Sequence, residues 1–157
     1  GEDAGLSDKG VRLASHLPAR FVISADPDQL HRILVNLMRN ARQAIETLNA
    51  GEAGQITIEA DIQNGKSVIR IRDNGPGVPE RLAGRLFEPF VSGSKSDGTG
   101  LGLTISRELA ANHGGDLRLV ETGPEGSTFE LRLPQPLTGA DTPAKTTEET
   151  GVPFHAD

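Results

Sequence analysis

The stretch Leu86–Ser106, LFEPFVSGSKSDGTGLGLTIS, decides how the rest of the chain is read. It opens with Phe87 and Phe90, three residues apart, and passes through a small polar run from Ser92 to Asp97. Glycines then alternate at 98, 100 and 102, just before an apolar-periodic helix begins. Backbone stripped of side chains at a helix N-terminus presents bare N–H groups, which suit an anion such as phosphate. A polar loop beside such a site is fitted to close over a bound nucleotide.

Composition narrows the class. The 157 residues fit one domain of ordinary size with a sizeable core. Only 35% are apolar, so some length is expected to lie outside that core. A net charge of −6 argues against nucleic acid, whose phosphates are held by clustered Lys and Arg. The absence of cysteine excludes disulfides and thiolate metal sites. His16, His31, His113 and His155 are spread too widely for a metal cluster. No apolar run approaches a membrane span and no signal peptide is visible, so no direct membrane contact is expected. The first residue is Gly, and the chain reads as a cytoplasmic piece of a longer protein.

Taken in order, residues 1–9 read as a flexible lead-in. Val11 to Ser15 and Phe21 to Ser24 alternate apolar and polar residues and predict two short strands joined by a turn. Asp26-Pro27 is a helix start, with Asp as N-cap and Pro at the first helical position. The helix should run from Pro27 to about Asn49, with Leu30, Ile33, Leu34, Leu37, Met38, Ala41, Ile45 and Leu48 at helical spacing. Along one border of that apolar face run Asn36, Asn40 and Gln43. Asparagine is a mediocre helix former, yet two stand mid-helix. They read either as surface amides or as a site in which Asn40 offers oxygen to a hard cation such as Mg²⁺.

Gln55 to Ile62 and Ser67 to Asp73, across Asn64-Gly65, predict an antiparallel hairpin. The second strand runs into Asp73-Asn74-Gly75-Pro76-Gly77-Val78-Pro79. This is a Gly/Pro turn with Asp as a local acceptor, or the mouth of a pocket in which a carboxylate accepts from an exocyclic amine. In that second reading Gly75 and Gly77 let a base and ribose lie close to the backbone. Pro79 to Leu86 reads as a short helix. A longer one follows from Thr99 or Gly100 to Asn112, stopped by Gly114-Gly115. His113, in its last turn, reads as a capping residue rather than a catalytic one. Asp116 to Glu121 and Ser127 to Leu133 form a last hairpin. From Pro134 onward Pro, Thr, Glu and Gly dominate, and 135–157 reads as a disordered tail.

Two rival phosphate motifs fail. Gly93-Ser94-Lys95-Ser96 carries Ser where a P-loop needs Gly before Lys, and G-x-G-x-x-G is broken because the third glycine, Gly102, arrives one residue early.

Four blocks in one order are more specific than any alone. LVNLMRNARQA (34–44) resembles the N box of sensor histidine kinases, DNGPGVP (73–79) their G1 box, LFEPF (86–90) their F box, and GTGLGL (98–103) their G2 box. Gly126-Ser127-Thr128-Phe129 resembles the turn before the final strand. The resemblance covers about residues 10–134. It implies the catalytic and ATP-binding domain of a two-component sensor histidine kinase, in the GHKL ATPase superfamily. The implied fold is an α/β two-layer sandwich, the Bergerat fold: a mixed, mainly antiparallel sheet with helices on one face.

By position, the resemblance makes Asn40 the Mg²⁺ ligand, supported by Asn36. Asp73 takes the adenine amine, with Gly75 and Gly77 shaping its pocket. Phe87 and Phe90 anchor the lid, and Lys95 reaches toward the terminal phosphate. Gly98, Gly100 and Gly102 present backbone to the phosphates. Gln43, Val78, Thr99, Leu101 and Leu103 count among the nucleotide-site positions. Ser127 or Thr128 adds a hydroxyl near the adenine, the register between them being open. The resemblance also implies partners: a histidine-containing dimerisation domain of the same protein and a response regulator receiver domain. The fragment is expected to be monomeric and its parent homodimeric. Gln43 and Ala44 depart from the commonest N box and resemble the nitrogen-regulation subgroup.

In the self-contained ATPases of the superfamily a glutamate four residues before the key asparagine activates water. Here that position is Asn36, and an amide is no general base. This favours a kinase whose nucleophile is a histidine in another domain; neither His16 nor His31 has the setting for it. A self-contained ATPase, an anti-sigma-type serine kinase and a non-catalytic nucleotide-binding scaffold remain the alternatives.

Overall fold

The computed structural model describes residues 11–18, 21–48, 52–89 and 101–135. Among the described residues, five strands and three helices make two layers. The strands are β1 (Val11–His16), β2 (Gly54–Gln63), β3 (Lys66–Asp73), β4 (Asp116–Gly123) and β5 (Gly126–Pro134). The helices are α1 (Pro27–Ile45), α2 (Glu80–Ala83) and α3 (Gly102–Asn112). The sheet order is β1-β2-β3-β5-β4. Only the β1–β2 pair is parallel, which makes the sheet mixed but mainly antiparallel, as expected.

Helix α1 forms where the sequence predicts it. Asp26 is extended, with φ −66° and ψ 123°, and its carboxylate accepts from the Gln29 N–H at 2.8 Å. Pro27 needs no hydrogen bond at the first position. The helix ends at Ile45, about a turn before the expected Asn49. The Thr47 hydroxyl donates to the Ala44 carbonyl at 2.7 Å, closing the chain into turns instead. Leu30, Ile33, Leu37, Ala41 and Ile45 are buried on one stripe. They meet Ile56, Ile69 and Ile71 from the sheet, and Phe129, Leu131 and Leu133 from β5, in one core. Each large apolar side chain fully buried there stabilises the fold by about 1.5–3 kcal/mol.

Alternate positions on β3 and β5 point away from the helices. That outer face is charged rather than apolar. Glu130 is 5% exposed and accepts from Arg70 at 3.0 Å and Arg132 at 2.7 Å. Burial pushes its carboxyl upward, but the two guanidiniums outweigh burial and hold it below the usual range.

One predicted strand is absent. Phe21 to Ser24 joins no ladder; it runs as irregular chain between β1 and α1. Its alternation has another cause: Ile23 is buried and Phe21 packs against the core, so the apolar side chains turn inward without strand pairing. Gln135 still bonds to Gly65 and Ser67. The expected lead-in at 1–9 and the tail beyond Gln135 lie outside the described residues.

His113 has the capping role that the sequence suggests, and more. It caps α3, and its Nδ1 lies 2.8 Å from the Leu109 carbonyl, to which only an N–H can bond. Its Nε2 accepts from the Asp26 backbone N–H at 3.1 Å. One imidazole therefore ties the end of α3 to the start of α1. Replacing it in His113→Ala should lower stability by about 1–2 kcal/mol. Urea unfolding checks this, and an unchanged midpoint would show that the tie is dispensable.

Candidate functional site

The site lies where the end of β3, the middle of α1, the start of α3 and the β4–β5 turn converge. Asp73 is the last residue of β3 and pairs with Ser127 of β5. It is 2% exposed. Burial pushes its carboxyl above the ordinary value, and backbone N–H bonds from Gly75 and Ser127 pull part of the way back. The Gly75 bond measures 2.8 Å. An acceptor is thus held at the core's edge in a fixed orientation.

The β3–β5 register settles which hydroxyl faces Asp73. Ser127 stands opposite Asp73, on the helix-facing side, buried. Thr128 stands opposite Arg72 on the outer face and accepts from Arg72 Nε at 3.2 Å. Thr128 is therefore corrected out of the site, because side chains alternate across a strand. The sequence reading missed Thr122. Its hydroxyl accepts from the Val78 N–H at 2.8 Å and lies 2.8 Å from the Ser127 hydroxyl. It clips the G1-like turn to the β4–β5 turn.

The glycines of that turn are required for packing. A Cβ at Gly75 would stand 2.9 Å from Ala44 Cβ and the Ala44 carbonyl oxygen. Gly77 has φ +89°, and a Cβ there would meet the Gly123 carbonyl. Neither position has room for a side chain, because Ala44 and Gly123 already occupy the space. Asn74 adds a further clip, accepting from Gln55 N–H at 2.7 Å and donating to the Ala53 carbonyl at 2.9 Å.

On α1, Asn36 and Asn40 lie one turn apart, both half-buried. Asn36 Nδ2 donates to the Gly102 carbonyl at 3.2 Å and the Ser106 hydroxyl at 3.0 Å. Asn40 makes no side-chain hydrogen bond to any described residue. A half-buried amide without a partner fits an oxygen ligand for a hard cation. No group of three or more His, Cys, Asp or Glu able to hold a metal occurs among the described residues. A cation here would take most of its ligands from water and phosphate, as Mg²⁺ does. Gln43 is half-buried beyond Asn40, while Arg39 and Arg42 are exposed.

Phe87 packs against the core. Its ring meets Phe129 edge-on at 6.3 Å, and the Arg107 guanidinium sits 4.6 Å from its centroid. The Thr104 hydroxyl donates to the Phe87 carbonyl at 2.8 Å. Leu101 immediately precedes α3, where Gly102 opens the helix and Leu103 is buried in its first turn. Phe90, Lys95, Gly98, Thr99 and Gly100 lie outside the described residues.

The raised Asp73 carboxyl has a consequence for stability. The folded chain holds this proton to higher pH than the unfolded chain does. The contribution is therefore fully present below the ordinary 3.8 and is lost as pH rises through the raised value. The unfolding free energy of the native chain minus that of Asp73→Asn, without nucleotide, should fall as pH rises from 3.8. Urea titrations at several pH values read this difference; a rising difference would contradict it.

The family described as "Histidine kinase-, DNA gyrase B-, and HSP90-like ATPase" matches residues 25–137. The C4-dicarboxylate transport sensor protein DctB of Rhizobium meliloti (strain 1021) is 39% identical over 105 residues, 67% of this chain and 16% of that protein. The sensory histidine kinase/phosphatase NtrB of Klebsiella oxytoca is 39% identical over 135 residues, 82% of this chain and 38% of that protein. The chain thus spans well under half the length of these relatives. Among solved structures, the nucleotide-free catalytic domain of histidine kinase ThkA superposes with a TM-score of 0.66 at 30% identity, over 81% of this chain and 80% of that one. Full-length ShkA in complex with AMPPNP gives a TM-score of 0.68 at 32% identity, over 81% of this chain and 26% of that one. With its sheet order, Asp73 pocket and paired α1 amides on the same frame, the chain belongs to the family of histidine kinase-, DNA gyrase B- and HSP90-like ATPases and has the fold of a histidine kinase catalytic domain.

Proposed function

We propose that this chain is the catalytic and ATP-binding part of a two-component sensor histidine kinase. It binds ATP with Mg²⁺ and presents the γ-phosphoryl group to a histidine on a separate dimerisation domain. The bond from the γ-phosphorus to the β–γ bridging oxygen breaks, a phosphorus–nitrogen bond forms on the imidazole, and ADP leaves. The phosphoryl group then passes to a response regulator receiver domain. The parent is homodimeric and acts in the cytoplasm. Among the described residues no helix is long and apolar enough to cross a membrane.

Asp73 carries the recognition. Its carboxylate accepts from the adenine amine while Gly75 and Ser127 N–H groups hold it in place. Asn40 offers its amide oxygen to the cation. Mg²⁺, when bound, offsets charge on the phosphate oxygens. Lys95 would add a cation on the terminal phosphate.

The observation that separates kinase from self-contained ATPase is the state of Asn36. The position that would activate water in an ATPase holds an amide whose NH₂ is already bonded to Gly102 and Ser106. It has no basic group to take a proton from water. The scaffold reading is disfavoured because Asp73 and Asn40 are both present.

Three measurements test the reading. ATP with Mg²⁺ should bind the native chain, and Asp73→Ala and Asn40→Ala should each weaken binding at least about tenfold, the range expected for a lost hydrogen bond to a charged or metal-linked group. Phosphate release from saturating Mg-ATP by the chain alone should be negligible. Asn36→Glu should not confer steady hydrolysis, because a carboxylate there faces the Gly102 carbonyl. Steady release abolished by Asn40→Ala would make the chain a self-contained ATPase.

A further inference from the structure

The Asn36 carboxamide has one orientation imposed on it by chemistry. Its partner on α3, the Gly102 carbonyl, can only accept a hydrogen bond. The NH₂ end must therefore face α3, whichever way the amide would otherwise turn. Ser106, 0% exposed and one turn further along α3, accepts a second bond from the same Nδ2 at 3.0 Å. Both donor hydrogens are then used. The oxygen end, Oδ1, accepts no hydrogen bond from any described residue. Gly102 Cα faces this carboxamide, with the position of a Cβ 3.8 Å from Asn36 Cγ.

Ser106 is unusual in its own right. It is a polar side chain, fully buried, in a helix whose other inward residues are Leu103 and Ala110. A buried hydroxyl with no partner is destabilising, because it gives up water and gains nothing in return. Here its partner is the Asn36 amide.

We propose that Ser106 is a positioning residue for the nucleotide site. With the Gly102 carbonyl it locks the Asn36 carboxamide so that the oxygen, never the NH₂, is presented beside Asn40. Two amide oxygens one helical turn apart then make an acceptor face. Such a face suits a hydrated divalent cation, whose bound waters are donors, and disfavours bare phosphate oxygens, which are acceptors. The inference rests on the ATP-binding reading and deepens it: Asn36 acts on the cation's water shell, not on the phosphates, and Ser106 decides this from outside the pocket.

The test is calorimetric titration of ATP into the chain with Mg²⁺ and in EDTA. Four proteins are compared: native, Ser106→Ala, Asn36→Ala and the double variant. Ser106→Ala should weaken Mg-ATP binding about three- to tenfold, the effect of one hydrogen bond. Metal-free ATP should bind within about twofold of native, since no cation is then served. The double variant should bind Mg-ATP no more weakly than Asn36→Ala, because both changes break one linkage. Ser106→Cys leaves no cavity, its larger sulfur being a poor acceptor, and should match Ser106→Ala, which separates the lost bond from a cavity effect. In the nucleotide-free native chain, the two Asn36 Nδ2 protons should give distinct NMR signals protected from exchange, and Ser106→Ala should lose that protection.

Equal losses with and without Mg²⁺ would mark Ser106 as merely structural and overturn the proposal. So would native-like Mg-ATP binding by Ser106→Ala, or additive losses in the double variant. A native chain that binds no ATP under either condition would instead remove the ATP-binding reading, and the positioning role with it.

Discussion

A buried carboxylate is the constraint on which the site depends. Asp73 can be ionised at 2% exposure only if N–H groups are brought to it, and the backbone of the chain brings them. The Ser127 N–H arrives through the β3–β5 register, and the Gly75 N–H through the turn just after the strand. Both demand close approach. Gly126 has φ +136°, and a Cβ there would fall on the Asp73 carbonyl. A slip of one residue in this register would send Asp73 to the charged outer face and bring Arg72 inside. The pairing that closes the core is therefore also the pairing that builds the pocket, and neither can shift without the other.

The second constraint is the fit of α1 to α3. These helices run antiparallel, joined at one end by His113 to Asp26 and in the middle by Asn36 to Gly102 and Ser106. Between those ties the contact is apolar. Helix α1 thus divides its surface three ways: Leu30, Ile33 and Leu37 to the core, Asn36 and Asn40 to the cleft, Arg39 and Arg42 to solvent. A polar tie in the middle of an apolar contact adds little net stability, about 1 kcal/mol per bond. What it adds is orientation, because the apolar stripe alone would tolerate a range of rotations of α1 against α3.

Much of this was legible in the sequence, for identifiable reasons. Asn36, Asn40 and Asp73 stand out because each breaks the local pattern: asparagines mid-helix, a carboxylate closing an apolar strand. Helix α1 was legible from Asp26-Pro27 and a long 3.6-residue period. The side of the sheet to which Ser127 and Thr128 point was not. It depends on a count across the β4–β5 hairpin and on pairing with β3, and β4 itself carries an irregularity between Leu119 and Glu121. The Phe21–Ser24 strand was misread because alternation reports which side chains are buried, not whether the backbone has a partner. Gly75 and Gly77 have a packing reason that the sequence does not show: the side chains that they lack would strike Ala44 and Gly123, which are distant in sequence. Ser106 and Thr122 gave no signal, since a serine in a helix and a threonine in a turn are ordinary until their partners are seen.

The identity of residue 36 is best understood from α3 rather than from α1. A glutamate there would place a carboxylate against the lone pairs of the Gly102 carbonyl, with only the Ser106 hydroxyl to donate. To serve as a base it would have to turn away from α3 and abandon the mid-helix tie. An asparagine meets the same carbonyl as a donor and keeps its oxygen for the cleft. The choice between activating water and leaving it inert is thus coupled to the packing of two helices. On the proposed reading, in which the phosphoryl group passes to another domain, a residue at this position that cannot deprotonate water protects the bound nucleotide until the acceptor arrives. The same amide that gives up basicity gains a fixed orientation, and the buried serine behind it makes that orientation permanent.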